Sequence, residues 1–336
     1  VGVTLQYLPE RVTEYFGEGA EYGVSLTYFT EDQPLGTAGS VKLAEAFLDE
    51  PFVILSGDGL TDCDLTQAVA FHRERGSLAT MVLKKVENPL EYGVVVADAQ
   101  GKVQRFLEKP GWGEVCSDTV NTGIYILEPE ALNHIPTGRP YDFGREMFPS
   151  LVEKGLGVFG YVMRGYWCDI GDVSAYLKAH ADLLDGRAAV AMPVKPGAVN
   201  RMPGAQVDRS AVLEGPCFIG EGAKVCAGAR VGAYTVLGAG SVVKKNASVK
   251  RGVIWRGARV GEGGEVGGAV VQTGAEVGQR ASIFEEGVLG DQSELGENCV
   301  LMPGVKVWPG RRVACGQKLD QNLVWGTGGG DLSAPE

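Results

Sequence analysis

The stretch Ile219-Gly220-Glu221-Gly222-Ala223-Lys224-Val225-Cys226-Ala227-Gly228-Ala229-Arg230-Val231 places an aliphatic residue at every sixth position and a small residue four places after it. The pattern runs back through Leu213 to Val207 and forward through Leu237, Val243 and Val249. It slips by one residue, resumes at Ile254, Val260 and Val266, slips again, and continues from Val271 through Val277, Ile283, Leu289, Leu295, Leu301 and Val307 to Val313. A period of six matches neither the 3.6-residue helical turn nor the two-residue strand alternation. It fits a prism-shaped parallel β-helix in which each hexad forms one face. The aliphatic side chain fills the interior, and the small one (Ala211, Cys217, Ala223, Ala229, Thr235, Ser241 and Ala247) fits a crowded corner. Glycine directly after the aliphatic position, as in Ile219-Gly220, Val231-Gly232, Leu237-Gly238 and Leu295-Gly296, reads as a tight turn.

The repeat resembles the left-handed β-helix of hexapeptide-repeat proteins. Acyltransferases of that architecture commonly use a histidine base from the coil. Here His72, His134 and His180 all precede the repeat, so an acyltransferase site is not expected. An oligomerisation or regulatory module is the better reading, since stacked coils with flat faces and open ends favour self-association into a homo-oligomer.

The whole chain, 336 residues with 44% hydrophobic content, exceeds one ordinary core and implies two domains. Mean hydropathy is near zero and no apolar run approaches the length of a membrane span. The net charge of -11 and the scattered Lys and Arg residues speak against a nucleic-acid partner, which needs a basic footprint. Cys63, Cys116, Cys168, Cys217, Cys226, Cys299 and Cys315 show no C-x-x-C pair and read as reduced thiols. With no signal-peptide pattern at Val1-Gly2-Val3-Thr4-Leu5, a cytoplasmic location is expected. That start, without Met, reads as a strand already inside a domain and hence as a fragment.

Up to about Gly186, short β-rich runs alternate with amphipathic stretches. Strands are expected at Val24 to Phe29, Phe52 to Ser56, Leu78 to Lys84, Gly93 to Ala97, Val103 to Leu107, Val120 to Leu127 and Val158 to Met163. Helices are expected at Thr37 to Leu48, Leu65 to Gly76, Phe143 to Lys154 and Val173 to Leu184. This is an α/β pattern with a mainly parallel, Rossmann-like sheet. The expected organisation is an α/β domain over 1–186, a connector over 187–206, the β-helix over 207–313 and a tail or linker over 314–336.

Chemistry concentrates in the α/β part. Pro34-Leu35-Gly36-Thr37-Ala38-Gly39 is a glycine-rich turn, and Phe52-Val53-Ile54-Leu55-Ser56-Gly57-Asp58 is an apolar run ending in an acid. It reads as a buried parallel strand presenting Asp58 at the sheet edge where ligands of α/β proteins bind. A second acid, Asp169, stands in Tyr166-Trp167-Cys168-Asp169-Ile170-Gly171-Asp172, where Asp172 has an alternative use as a helix N-cap. Two aspartates from separate loops can hold one Mg2+, an ion that prefers oxygen ligands shared with phosphates. Between them lie Glu91-Tyr92-Gly93-Val94-Val95, Arg105-Phe106-Leu107-Glu108-Lys109-Pro110 and Val120-Asn121-Thr122-Gly123-Ile124-Tyr125. Glu108 and Asn121 suit sugar hydroxyls and Lys109 suits a phosphate, although Glu108-Lys109 taken alone reads better as an exposed charge pair at a turn.

In that order, Pro34 to Gly39, Gly57-Asp58, Tyr92-Gly93-Val94, Glu108-Lys109-Pro110, Asn121-Thr122-Gly123 and Trp167 to Gly171 resemble the motifs of nucleotide-sugar pyrophosphorylases. These nucleotidyltransferases join a sugar 1-phosphate to a nucleoside triphosphate. The resemblance implies that Leu35, Gly36 and Thr37 border the nucleobase and that Asp58 and Asp169 hold magnesium. It further implies that Gly93, Glu108, Asn121 and Thr122 contact the sugar and that Lys109 meets its phosphate, with Asp58, Lys109 and Asp169 as the catalytic set. Gly165 to Asp169 and Phe106 to Val115 look most like the mannose-1-phosphate guanylyltransferase branch, particularly members fused to a phosphomannomutase-like domain. Asn322-Leu323-Val324-Trp325-Gly326 resembles the lead-in to that domain. The family's signature G-G-x-G-T-R-L-x-P-L-T is absent, and Val1 to Tyr7 resembles a strand downstream of it. Since that loop grips the triphosphate, the chain as written is expected to be inactive or severely crippled. A uridylyl, adenylyl or thymidylyltransferase acting on glucose 1-phosphate, and a non-catalytic regulatory subunit that binds sugar nucleotide, remain open alternatives.

Overall fold

A computed structural model describes residues 1–325. The expected tail lies outside the described residues from position 326 onward. The chain resolves into two compact units, Val1–Trp167 and a second from Cys168 onward.

The first unit opens with β1 (Gly2–Leu5), α1 (Pro9–Phe16) and β2 (Thr27–Thr30), the two strands pairing in parallel across the helical crossover. Then come α2 (Gly36–Leu43), β3 (Phe52–Leu55), β4 (Gly59–Thr61), α3 (Leu65–Arg75), β5 (Ala79–Lys85), β6 (Gly93–Ala97), β7 (Val103–Glu108) and β8 (Thr119–Leu127). A short π-helical turn, Phe143–Met147, runs into α4 (Phe148–Glu153), and β9 (Val158–Val162) closes the sheet. The order is β7-β6-β8-β5-β9, with β3 also on β8. The core between this sheet and its helices includes Met81, Leu83, Leu127, Phe143, Met147 and Phe148, each at most 2% exposed.

The expected mainly parallel sheet is in fact mixed. Only β5 and β9 run parallel within it, while β3–β8, β5–β8, β6–β7 and β6–β8 are antiparallel. A tight turn explains one of these pairs: Asp98 Oδ1 accepts the N–H groups of Gln100 and Lys102, both at 2.9 Å, folding β7 back on β6. Parallel neighbours need a longer crossover. Nor is β3 the buried parallel strand its composition implied: among the described residues it pairs with β8 alone, and Val53 and Leu55 are 37% and 55% exposed.

The second unit holds the end of β10 (Trp167–Asp169), α5 (Val173–Leu184) and a parallel β-solenoid. Three seven-stranded sheets form its faces, each coil pairing in register with the next, for example Val207 with Val225 and Val225 with Val243. The phased aliphatic residues fill the interior: Ile219, Val231, Leu237, Val243, Ile254 and Leu289 are all 0% exposed. Both one-residue slips fall at one corner of successive coils. There Arg251 and Gly268 each adopt positive φ and Gly268 N–H donates to Lys250 carbonyl at 2.9 Å, so the interior residues stay aligned.

The glycines after the aliphatic positions need a different explanation from the one their sequence context implied. Gly220 and Gly238 do not have positive φ; a Cβ on Gly220 would stand 2.6 Å from the Leu237 carbonyl oxygen of the next coil. Close coil-to-coil approach demands glycine there. The solenoid strands also extend beyond 207–313, from Val199–Arg201 to Lys318–Leu319. In the terminal coil Arg201 occupies the aliphatic place opposite Ile219, so the hexad count stopped short of it.

Helix α5 covers one solenoid face within this unit. Along the middle of that face the outward residues, Phe218, Val236, Val253, Val270 and Val288, are apolar, and Val253 and Val270 are only 3% and 4% exposed. The Trp255 indole N–H donates to Tyr176 hydroxyl at 3.1 Å, locking helix to coil. Among the described residues no helix is long and apolar enough to cross a membrane.

Candidate active site

The glycine turn is held by a segment that the sequence motifs did not include. The N–H groups of Ala38 and Gly39 both donate to Tyr141 carbonyl at 3.0 Å, and Tyr141 N–H donates to Leu35 carbonyl at 2.8 Å. Gly36 has φ +69°, and a Cβ there would stand 2.8 Å from Tyr141 carbonyl oxygen. Both the left-handed conformation and the close approach exclude a side chain. Thr37 hydroxyl donates to Asp142 Oδ2 at 2.9 Å and accepts from Phe143 N–H at 3.0 Å. Thr37 thus has its backbone to offer a ligand, its hydroxyl being committed within the protein.

Glu108 sits opposite Gly93 across the β6–β7 ladder. A Cβ at Gly93 would come within 2.9 Å of Glu108 Oε2, and one at Gly144 within 2.7 Å. Two glycines therefore cradle one carboxylate. Burial of that inner oxygen raises the Glu108 pKa above the usual carboxylate range, Asp142 pushes it further, and Lys109 and Arg145 oppose the rise. The residue as a whole is exposed, so the carboxylate is packed against glycine on one side and accessible on the other. Lys109 follows in a left-handed conformation, φ 44°, donates its N–H to Tyr92 carbonyl at 3.2 Å, and joins no ion pair among the described residues.

At the end of β3, Asp58 is exposed, and Ser56 hydroxyl donates to its Oδ1 at 2.5 Å. Its Oδ2 has no partner among the described residues, leaving an oxygen that suits a hard cation. Ser56 N–H donates to Gly123 carbonyl at 3.1 Å, bringing Asp58 beside the Asn121-Thr122-Gly123 strand. Asn121 donates to Tyr125 hydroxyl at 2.8 Å and accepts from Gly123 N–H at 3.2 Å, which leaves one amide hydrogen for a ligand. Burial raises the Tyr125 pKa, so its hydroxyl stays protonated. The Tyr125 ring lies 4.9 Å from that of Phe143, linking the Asn121 strand to the segment that holds Thr37.

Thr122, expected at the sugar, has its side chain turned inward. It is 3% exposed and its hydroxyl donates to Val82 carbonyl at 2.8 Å, facing into the sheet rather than toward a sugar. The Thr122 carbonyl instead accepts Trp167 indole N–H at 3.1 Å, and Trp167 meets Tyr92 edge-on at 5.3 Å. Asp169 stands at the end of β10 in the second unit. Asp172 takes its structural alternative, accepting Ala175 N–H at 2.7 Å as the N-cap of α5.

Tyr141 and Asp142 were absent from the candidate set. A signal was available: an aspartate directly before a helical stretch is an N-cap pattern, and Asp142 precedes the helix expected from Phe143. Among the described residues no three His, Cys, Asp or Glu side chains gather as a metal site. A metal here would be held by one or two carboxylates with substrate oxygens completing its shell, which is how magnesium binds.

The fold is a mixed α/β unit bearing a glycine turn and a glycine-cradled carboxylate, followed along the chain by a parallel β-solenoid. Residues 1–186 match the family described as Nucleotidyl transferase, and residues 213–320 match the GMPPB C-terminal domain. The chain belongs to the nucleotidyl transferase family. It is 39% identical over 236 residues to a UTP--glucose-1-phosphate uridylyltransferase of Synechocystis sp., covering 65% of this chain and 61% of that protein. To a mannose-1-phosphate guanylyltransferase of Mycobacterium tuberculosis it is 33% identical over 225 residues, covering 66% and 62%. A mannose-1-phosphate guanyltransferase of Eremothecium gossypii is 38% identical over 181 residues, covering 52% and 49%. The chain thus spans half to three fifths of the length of these relatives.

Proposed function

We propose that the protein joins a sugar 1-phosphate to a nucleoside triphosphate, giving a nucleotide-sugar and pyrophosphate, with mannose 1-phosphate and GTP as substrates. The observation that carries this reading is the presence in one unit of the Gly36 turn and of Glu108 between Gly93 and Gly144. Leu35, Gly36 and the Thr37 backbone border the base; Gly93, Glu108 and the remaining Asn121 amide hydrogen face the sugar; Lys109 meets its phosphate. Mannose and GTP are supported by the guanylyl relatives and the GMPPB-type solenoid. Glucose 1-phosphate with UTP is the second reading, supported by the Synechocystis relative.

A phosphate oxygen of the sugar 1-phosphate attacks the α-phosphorus in line. The bond from that phosphorus to the oxygen bridging the β-phosphate breaks, and pyrophosphate leaves with the electron pair. The acceptor is already an anion, so alignment and charge neutralisation carry the catalysis and no side-chain nucleophile is required. Lys109 supplies a mobile positive charge from its left-handed turn. Magnesium, when bound, would offset phosphate charge, with Asp58 holding it in the first unit; Asp169 is a second proposed ligand, tested on its own. Self-association through the solenoid and a cytosolic setting belong to the same reading.

Pyrophosphate release by the complete gene product, measured with each substrate pair and Mg2+, tests it. The expected result is a higher kcat/KM for GTP with mannose 1-phosphate and a loss of about 100-fold or more in Asp58→Asn. Asp169→Asn should weaken the apparent affinity for Mg2+. Preference for UTP with glucose 1-phosphate moves the assignment to the second reading, and no release with any pair overturns the activity.

A further inference from the structure

We propose that Asp142 is a positioning residue that couples the nucleotide turn to the sugar-facing carboxylate, so that one side chain sets the places of both substrates. The inference rests on the transferase reading above and deepens it.

The geometry divides between the two oxygens of one carboxylate. Oδ2 accepts Thr37 hydroxyl at 2.9 Å, while Thr37 in turn accepts Phe143 N–H at 3.0 Å, clasping the turn to the segment from both sides. Oδ1 accepts the N–H groups of Gly144 at 2.9 Å and Arg145 at 3.0 Å, which fixes the start of the helical stretch. Gly144 is the seat of Glu108, since a Cβ there would stand 2.7 Å from Glu108 Oε2. Thr37 is thus held on one side of Asp142 and the backbone under Glu108 on the other. The loop is braced further by Asp142 N–H donating to Glu146 Oε2 at 3.0 Å, with Arg139 paired to Glu146 at 3.3 Å.

A cap alone would need only the Oδ1 bonds. The other two aspartate caps show this: Asp172 bonds Ala175 N–H, and Asp64 bonds the backbone and side chain of Gln67, all within the first turn of their own helices. Only Asp142 among these three reaches a residue 105 positions away. The charges facing Glu108 are Asp142, Lys109 and Arg145, of which Asp142 alone opposes ionisation.

Steady-state kinetics of Asp142→Asn test the coupling, because asparagine keeps an oxygen for the cap and loses the charge. KM for the nucleoside triphosphate and KM for the sugar 1-phosphate should each rise about tenfold or more. The acidic limb of the kcat/KM profile should move to lower pH, as one negative charge beside Glu108 is gone. Thr37→Val should raise KM for the nucleoside triphosphate alone, and Gly144→Ala KM for the sugar 1-phosphate alone. An unchanged KM for either substrate in Asp142→Asn overturns the coupling and leaves the transferase standing. Should that variant not fold, the flanking pair decides: separate effects support the proposal, and identical effects on both KM values overturn it. A parent protein that releases no pyrophosphate removes the transferase reading and this inference with it.

Discussion

In the solenoid each interior side chain stacks on its counterpart one coil away, as Leu237 does on Ile254. In the first unit the Thr37 hydroxyl finds its acceptor on Asp142, 105 residues further on. One region repeats a local solution; the other closes a long loop to build a single place. The difference predicts where substitutions hurt stability and where they hurt binding. A repeat array transmits damage to its neighbours through shared interior packing, whereas a site built by chain crossing can lose one contact and keep its fold.

Leu237→Asp should be the most damaging change. It places an uncompensated carboxylate at a fully buried position between stacked aliphatic layers, a cost of about 5 kcal/mol or more. Urea unfolding followed by far-UV circular dichroism should show the solenoid transition lost or moved far down. A midpoint shift worth less than about 1 kcal/mol would break the claim that the interior row is the solenoid's cohesive element.

Gly36→Ala should cost less in stability and more in ligand affinity. The substitution forces a side chain into φ +69° and toward the Tyr141 carbonyl, roughly 1–3 kcal/mol of strain confined to the turn. Thermal unfolding should drop by a few degrees, while binding of nucleoside triphosphate, measured by titration calorimetry, weakens about tenfold or more. Equal loss of stability in Gly36→Ala and Leu237→Asp would erase the contrast between the two regions.

The same contrast explains what could be read from the sequence. Hexad phasing located the solenoid interior because each interior residue has the same job at the same spacing; it fell short at both ends, at Arg201, where a terminal coil has no neighbour on one side, and at Leu319, which continues the phase six residues after Val313 and pairs with Leu301. Helix Val173–Leu184 and strand Gly93–Ala97 matched their expected bounds because their patterns are local. Strand direction was not legible: β3 has the composition of a buried parallel strand, yet its partner, β8, runs the other way. The place of Thr122 was not legible because alternation along β8 turns its hydroxyl inward to Val82, while Asn121 on the other face bonds Tyr125 hydroxyl and Gly123 lies against Ser56 after β3. Tyr141 was invisible for a further reason: its contribution is a backbone carbonyl, which any residue type could supply.

The smallest expected effect compares one histidine in each unit, His72 buried and His180 partly so. His72 is 1% exposed, with Nδ1 at 2.8 Å from Thr80 hydroxyl and Nε2 at 3.2 Å from Glu128. His180 Nδ1 lies 2.9 Å from Tyr176 carbonyl and must carry the hydrogen there. Burial lowers the pKa of both rings below the ordinary histidine value, against the opposing pull of Glu128 on His72 and of Tyr176 carbonyl on His180. Each ring binds a proton less tightly folded than unfolded. As pH falls below about 6.5, the unfolded chain therefore takes up protons that the folded chain refuses, and stability declines. Stability should be fully present above that pH, and urea midpoints should fall between about pH 7 and pH 5.5. His72→Gln should flatten that slope for the transition reported by the first unit, and His180→Gln for the solenoid's. A slope left intact by both variants would show that the decline comes from carboxylates, and one variant flattening both transitions would show that the two units do not unfold separately.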